Sequence, residues 1–129
     1  LQTLKDNDLN LEDFLLVGET ENVSRYFDLI DIFCLHSRSE GFPNVLVEAI
    51  MSETLVISTN VGDVESIIKV KECIIPKENS SMLAKKATYF LDMNQDIKQN
   101  IISLNFQLVR EKFTIENFVS KHNSLYKRL

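Results

Sequence analysis

Apolar positions along this chain fall into two rhythms. Short, nearly unbroken runs come first: FLLVG at Phe14 to Gly18, DIFCLH at Asp31 to His36, LVIS at Leu55 to Ser58 and CII at Cys73 to Ile75. Runs of this length predict parallel strands covered on both faces. Between them the spacing becomes helical. A helix is predicted from about Asn22 to Ile30, with Val23, Tyr26, Phe27 and Ile30 on one face. A second runs from about Pro43 to Ser52, and a short third from Val64 to Lys69. In the second, Val45, Leu46, Ala49 and Ile50 share the face that would pack on a sheet. After Pro76 the pattern is helical only. Ser80 or Ser81 can cap a helix reaching about Met93; helices over Gln95 to Lys112 and Thr114 to Leu129 follow, the last capped by Thr114. Leu1 to Asn10 is polar and reads as a frayed end. Strands alternating with helices predict an α/β fold with a mostly parallel sheet.

The length, 129 residues, allows one domain with a modest core. Net charge is −5 and no basic stripe is present, so nucleic acid is not an expected partner. No apolar run approaches the roughly 20 residues of a membrane span, and no secretory signal is read. Cys34 and Cys73 sit inside apolar runs and are expected to be buried free thiols in a reducing compartment, which points to the cytoplasm. No His or Cys cluster accompanies them, so no metal or cofactor is implied, and His36 and His122 are read as structural. Lys85, Lys86, Lys127 and Arg128 read as solvated helix faces; Met82, Leu83, Tyr89 and Phe90 read as core or interface. The first residue is Leu1 and not Met, which suggests a fragment or a processed product.

The chemistry concentrates in SRSEGFPNVLVEA, Ser37 to Ala49, which reads as the loop and helix after the second apolar run. In an open α/β sheet, ligands bind where strand C-termini meet helix N-termini. First-turn N–H groups there have no internal partner and attract phosphate. Gly41 allows a positive φ or a close backbone approach to a ligand. Pro43 suits a helix's first turn, and Asn44 is an alternative N-cap. Asn44 and Glu48 lie four apart on one flank, so Glu48 can look into the cleft while Glu40 stands on the loop before the helix. Two carboxylates bracketing an anion-binding helix end suit a ligand with a phosphate centre and hydroxyls at both ends, such as a nucleotide sugar.

The run EGFPNVLVE, with the segment from DIFCLH through VISTNVG to DVESII, resembles the C-terminal, donor-binding half of retaining GT-B glycosyltransferases of the large family-four group. CIIP, SSMLAKKATYFL and VREKFTIENFVSKHNSLYKRL are similar to that family's closing helices, and the resemblance covers roughly residues 11 to 129. It implies a Rossmann-like parallel sheet with flanking helices, forming one partial domain over residues 1–129, with the acceptor-binding N-terminal domain missing. It implies transfer of a hexosyl-type sugar from a nucleoside diphosphate donor to a glycan or lipid-linked acceptor with retention, in polysaccharide or lipopolysaccharide assembly, without a metal. It also implies a cytoplasmic location, with peripheral association of the full enzyme at the inner face of the membrane. By the same resemblance Glu48 binds ribose hydroxyls. Glu40 contacts donor-sugar hydroxyls near the reacting carbon and stabilises rather than attacks. Gly41, Phe42, Asn44, Val45 and Leu46 line the sugar and diphosphate through backbone N–H groups. Phe42 reads equally as a core aromatic. Ser37 and Arg38 flank the loop, where Arg38 either faces phosphate or is solvated. Thr59, Val61 and Gly62 line the nucleotide pocket from the neighbouring loop.

The chain also departs from the family. Glu53 and Leu55 stand where relatives commonly carry glycine and proline, and Ser66, beside Glu65, stands where a glutamate is usual. A residue at position 53 that must turn left-handed would cost about 1 kcal/mol if it is not glycine. The family's early phosphate-binding arginine and lysine have no counterpart, so the 129-residue chain alone is expected to be inactive. FLLVG would correspond to a far-edge strand, free to pair with DIFCLH, with another molecule, or with nothing. The alternative function is a non-catalytic remnant or nucleotide-sugar-binding module; a nucleotide-sugar epimerase is a weaker third reading, because EGFPNVLVE is a transferase-style motif.

Overall fold

The computed structural model describes residues 10–127, apart from the side chains of Leu11, Phe118, Lys121, His122 and Leu125. The readings made for residues 1–9, for the His122 side chain and for Arg128 lie outside the described residues. Its centre is β2 (Leu55–Thr59), in which every residue is buried. β1 (Ile32–Leu35) lies parallel on one side and β3 (Ile74–Ile75) parallel on the other. The register sets Ile32 opposite Leu55, Leu35 opposite Ser58, and Thr59 opposite Ile75. Parallel pairing brings the C-terminal ends of all three strands to one edge of the sheet.

Among the described residues there are six α-helices: α1 (Ser24–Phe27), α2 (Asn44–Met51), α3 (Val64–Ile67), α4 (Ser80–Leu91), α5 (Gln95–Lys112) and α6 (Ile115–Tyr126). α2 and α5 pack against each other and against β2, and α4 also meets β2. The apolar face expected for α2 is real: Leu46, Ala49 and Ile50 are buried and Val45 is half-buried. Phe90 of α4 and Val64 and Ile67 of α3 complete the core. Each such side chain contributes roughly 1.5–3 kcal/mol through burial.

The inward stripe of α5 is Ile101, Asn105 and Val109, four apart. Asn105 is 2 % exposed. Its Oδ1 accepts the backbone N–H groups of Lys69 (2.9 Å) and Val70 (3.0 Å), in the connection between α3 and β3. Its Nδ2 lies 3.8 Å from the Cys73 Sγ. Burial pushes the Cys73 thiol up to about 11, against smaller opposing effects of that hydrogen bond and of Lys86. Cys73 is therefore a protonated, inert core thiol at neutral pH.

Caps follow local chemistry. The Asn79 side chain accepts the Met82 N–H at 2.9 Å, so Asn79, not Ser80 or Ser81, caps α4, and the helix stops at Leu91. Asn94 caps α5 through the N–H groups of Asp96 and Ile97. Thr114 Oγ1 accepts the Asn117 N–H at 3.1 Å at the start of α6, as expected.

Three expectations are corrected. FLLVG is not a buried strand: Phe14 to Val17 has no regular secondary structure, lies outside the sheet and is exposed, Leu15 by 84 %. Apolar content supplied the signal, but a strand needs a neighbour's hydrogen-bonding edge, and no described strand offers one here. The Asn22 to Ile30 helix contracts to the single turn of α1, which buries Phe27 against the edge of the Phe33 ring. Cys34 is exposed rather than buried: it lies on the end strand of the three described, where its face of the sheet is left uncovered.

The position-53 expectation holds. Glu53 has φ 56°, its N–H reaches the Ile50 carbonyl (3.0 Å), and the Thr54 N–H reaches the Ala49 carbonyl (3.1 Å). This pair of bonds is a Schellman ending, in which glycine is favoured. Glu53→Gly should therefore stabilise the chain by roughly 0.5–1 kcal/mol, read as a higher urea midpoint at unchanged m-value.

Candidate functional site at the strand C-termini

Two loops leave the C-terminal edge of the sheet, one from β1 to α2 and one from β2 to α3. They are tied at three levels. At the base, the buried Thr59 hydroxyl donates to the Ser37 carbonyl at 2.7 Å and lies 3.4 Å from that of Leu35. Above it, the Asp63 N–H donates to the Gly41 carbonyl at 3.0 Å. Between these, Gly62 turns left-handed at φ +51°. A Cβ built on Gly62 would stand 2.0 Å from the Gly41 oxygen and 2.5 Å from the Glu40 oxygen. The loops touch backbone to backbone, and only the missing side chain permits it.

This contact fixes where Glu40 stands. Its side chain is half-buried, and its Oε1 accepts the Ser37 hydroxyl at 2.7 Å. A carboxylate held this way keeps further lone pairs for a ligand's hydroxyls. Of the two readings for Gly41, the positive φ is not found, and a Cβ there would meet nothing within 4 Å, so the conformational demand falls on Gly62. Thr59 also differs. Its side chain is buried and spent on loop carbonyls, so it supports the site from beneath.

α2 begins just beyond Glu40. Pro43, buried, occupies the cap position without a side-chain cap, and Asn44 is the first helical residue. The Leu46 N–H is drawn to the Pro43 carbonyl at 3.0 Å, and its side chain is fully buried. The N–H groups of Asn44 and Val45 head the helix, where the dipole favours an anion. Asn44 and Glu48 are both exposed, one turn apart. Phe42 is 40 % exposed and sets its ring edge-on to Phe113 at 5.2 Å, so it braces the loop against the end of α5. Arg38 reaches outward to Glu78 at 3.4 Å; both are well exposed, and such a pair is worth little. His36 is exposed beside the loop.

On the second loop, the Asn60 N–H donates to the Ile75 carbonyl (2.8 Å) and its Nδ2 to Glu65 (2.9 Å). Ser66 Oγ turns back to the Asp63 carbonyl at 2.7 Å. Glu65, in the first turn of α3, is thus engaged by the loop that precedes it. Among the described residues, no group of three His, Cys, Asp or Glu side chains could hold a metal ion. Sequence reasoning did not single out Asn60, Asp63 or the Ser37–Glu40 bond, since partners three to twenty-odd residues apart leave no local pattern.

A family model described as glycosyl transferases group 1 matches residues 1–105. The chain belongs to that family. Over 119 residues it is 31% identical to the Vi polysaccharide biosynthesis protein VipC/TviE of Salmonella typhi, a match covering 84% of this chain and 20% of that protein. The fold superposes on sucrose-phosphate synthase from Thermosynechococcus elongatus with a TM-score of 0.82 at 20% identity, covering 98% of this chain and 32% of that one. The C-terminal domain of a glycosyl transferase group 1 family protein from Francisella tularensis gives a TM-score of 0.72 at 23% identity, covering 88% and 60%. The expected fold, a Rossmann-like sheet of the kind found in GT-B C-terminal domains, is the one present. As a group 1 sequence, the chain spans about a fifth of the length of its Salmonella relative.

Proposed function

We propose that this chain is the donor-binding part of a retaining, family-four type glycosyltransferase acting in the cytoplasm. The longer enzyme takes a hexosyl-type sugar from a nucleoside diphosphate and passes it to a glycan or lipid-linked acceptor held by a further domain, in polysaccharide or lipopolysaccharide assembly. The reading is carried by one observation: the backbone contact at Gly62, which holds Glu40 at the sheet edge just before the uncapped start of α2. In this reading the diphosphate meets the Asn44 and Val45 N–H groups, with Gly41, Phe42 and Leu46 lining the same turn. Glu48, one turn along, accepts from the vicinal ribose hydroxyls. Glu40, oriented by Ser37, accepts from the sugar and stabilises charge near the reacting carbon. Glu48→Ala in the full-length enzyme should weaken nucleoside diphosphate binding roughly tenfold, as loss of a charged hydrogen bond does; unchanged affinity by calorimetry would remove the ribose role.

A second reading, a nucleotide-sugar-binding module without turnover, is favoured by the state of Arg38. It is the cation of the motif loop, and it is paired with Glu78. We accordingly expect the purified 129-residue chain to transfer no sugar when incubated with a panel of nucleotide sugars and glycan acceptors. Product detected by mass spectrometry would defeat that expectation.

A further inference from the structure

The loop that carries Glu40 is tied to the β2–α3 loop by the contacts at Thr59, Gly62 and Asp63. It has a further tie to a different element. Phe42 stands midway between Glu40 and Asn44. Its flanks do little to fix it. Gly41 has open space where a Cβ would stand, and Pro43 has no N–H to donate. α2 then begins without a side-chain cap. What the Phe42 ring meets is the Phe113 ring, with 5.2 Å between centroids and 61° between planes.

Phe113 is a firm abutment. It ends α5, packs against the core, and donates its N–H to the carbonyl of buried Val109 at 2.9 Å. The turn beyond it is closed by its own bonds. The Thr114 hydroxyl accepts the Asn117 N–H at 3.1 Å, and the Asn117 side-chain amide donates to the Glu111 carbonyl. Further back, α5 packs along α2. Phe42, by contrast, stays 40 % exposed. A pair that served the core alone would bury both rings. Here one ring is anchored and the other belongs to a half-open loop, so the contact decides where the loop stands.

We propose that Phe113 is a positioning residue for the donor: through the Phe42 ring it holds the Asn44 and Val45 N–H groups where they meet a diphosphate. This role rests on the donor-site reading and adds to it a residue from the α5–α6 corner. An edge-to-face pair is worth roughly two- to tenfold in an equilibrium constant. Without it the loop samples more positions, and apparent affinity falls with the population of the ready one.

The test has two arms on the 129-residue chain, both followed by amide NMR. Without ligand, Phe113→Ala should shift the Phe42, Asn44 and Val45 amides and speed their exchange, while the β2 amides keep their parent shifts. In the second arm, uridine, adenosine and guanosine diphosphate are titrated singly. The parent should respond at Asn44 and Val45, and F113A should bind the diphosphate the parent prefers roughly two- to tenfold more weakly. Phe113→Tyr keeps the ring and should restore parent affinity. Phe90→Leu, a core change in α4, should lower the urea midpoint and leave the affinity of the folded chain unchanged, which separates positioning from stability. If F113A fails to fold, Phe113→Leu keeps apolar volume without the ring and should still bind more weakly than F113Y. Parent-like amides at Phe42, Asn44 and Val45 in the ring-less variants, or parent-like diphosphate affinity in them, would overturn the proposal. A parent chain whose Asn44 and Val45 amides respond to none of the three diphosphates would instead overturn the donor-site reading, and the role of Phe113 with it.

Discussion

Gly62→Ala is expected to destabilise the chain by about 2–4 kcal/mol, combining left-handed backbone strain with a forced displacement in a packed loop. The added methyl would stand 2.0 Å from the Gly41 oxygen, and the atoms it meets are all backbone, so no side chain can swing aside. Relief requires parting the loops, which removes the Asp63-to-Gly41 hydrogen bond and carries Glu40 with it. Urea unfolding should show a markedly lower midpoint. Gly41→Ala is the control: open space surrounds that position and its φ is not left-handed, so stability should move by less than about 0.5 kcal/mol. If the two substitutions proved equally mild, the backbone contact would not be what joins the loops.

Asn105→Leu should cost a comparable amount, about 2–4 kcal/mol, because it deletes the acceptor of two backbone N–H groups and leaves them unpaired in a partly buried setting. The residue sits where α5 would otherwise carry an aliphatic side chain, between Ile101 and Val109, so packing volume alone would favour leucine. The polar cost should outweigh that gain. Amide exchange distinguishes the causes: the Lys69 and Val70 N–H groups, at 2.9 and 3.0 Å from Oδ1, should exchange faster while the α2 amides slow or speed only with global stability. A leucine variant as stable as the parent would show that water replaces the side chain at no cost.

Both residues owe their roles to distant parts of the chain. Asn105 looks like one polar residue in an 18-residue amphipathic helix, and nothing nearby in the chain announces partners 35 and 36 residues away. Gly62 is legible as a turn glycine, but the obstacle it avoids comes from the other loop. The reverse holds for FLLVG, whose apolar run is plain while its lack of a neighbouring strand is not. Cys34 misleads in the same way: an apolar run does not say which of its residues lies on a face that the rest of the described chain leaves open.

What the sequence determined by itself was whatever local spacing and local chemistry control. That covers the parallel α/β class, β1 and β2 to within two residues at either end, the inward face of α2, the full extent of α5, the Thr114 cap and the strained turn at Glu53. Its EGFPNVLVE run also pointed to the family. What only the tertiary structure decided was which of the candidate residues far apart in the chain touch: Thr59 beneath Ser37, Gly62 against Gly41, Phe42 on Phe113 and Arg38 on Glu78. The reason is physical. Helix periodicity and caps are satisfied by residues within four positions of one another. The site is assembled by the register of β1 on β2, which brings together loops more than twenty residues apart and fixes their contact to tenths of an ångström.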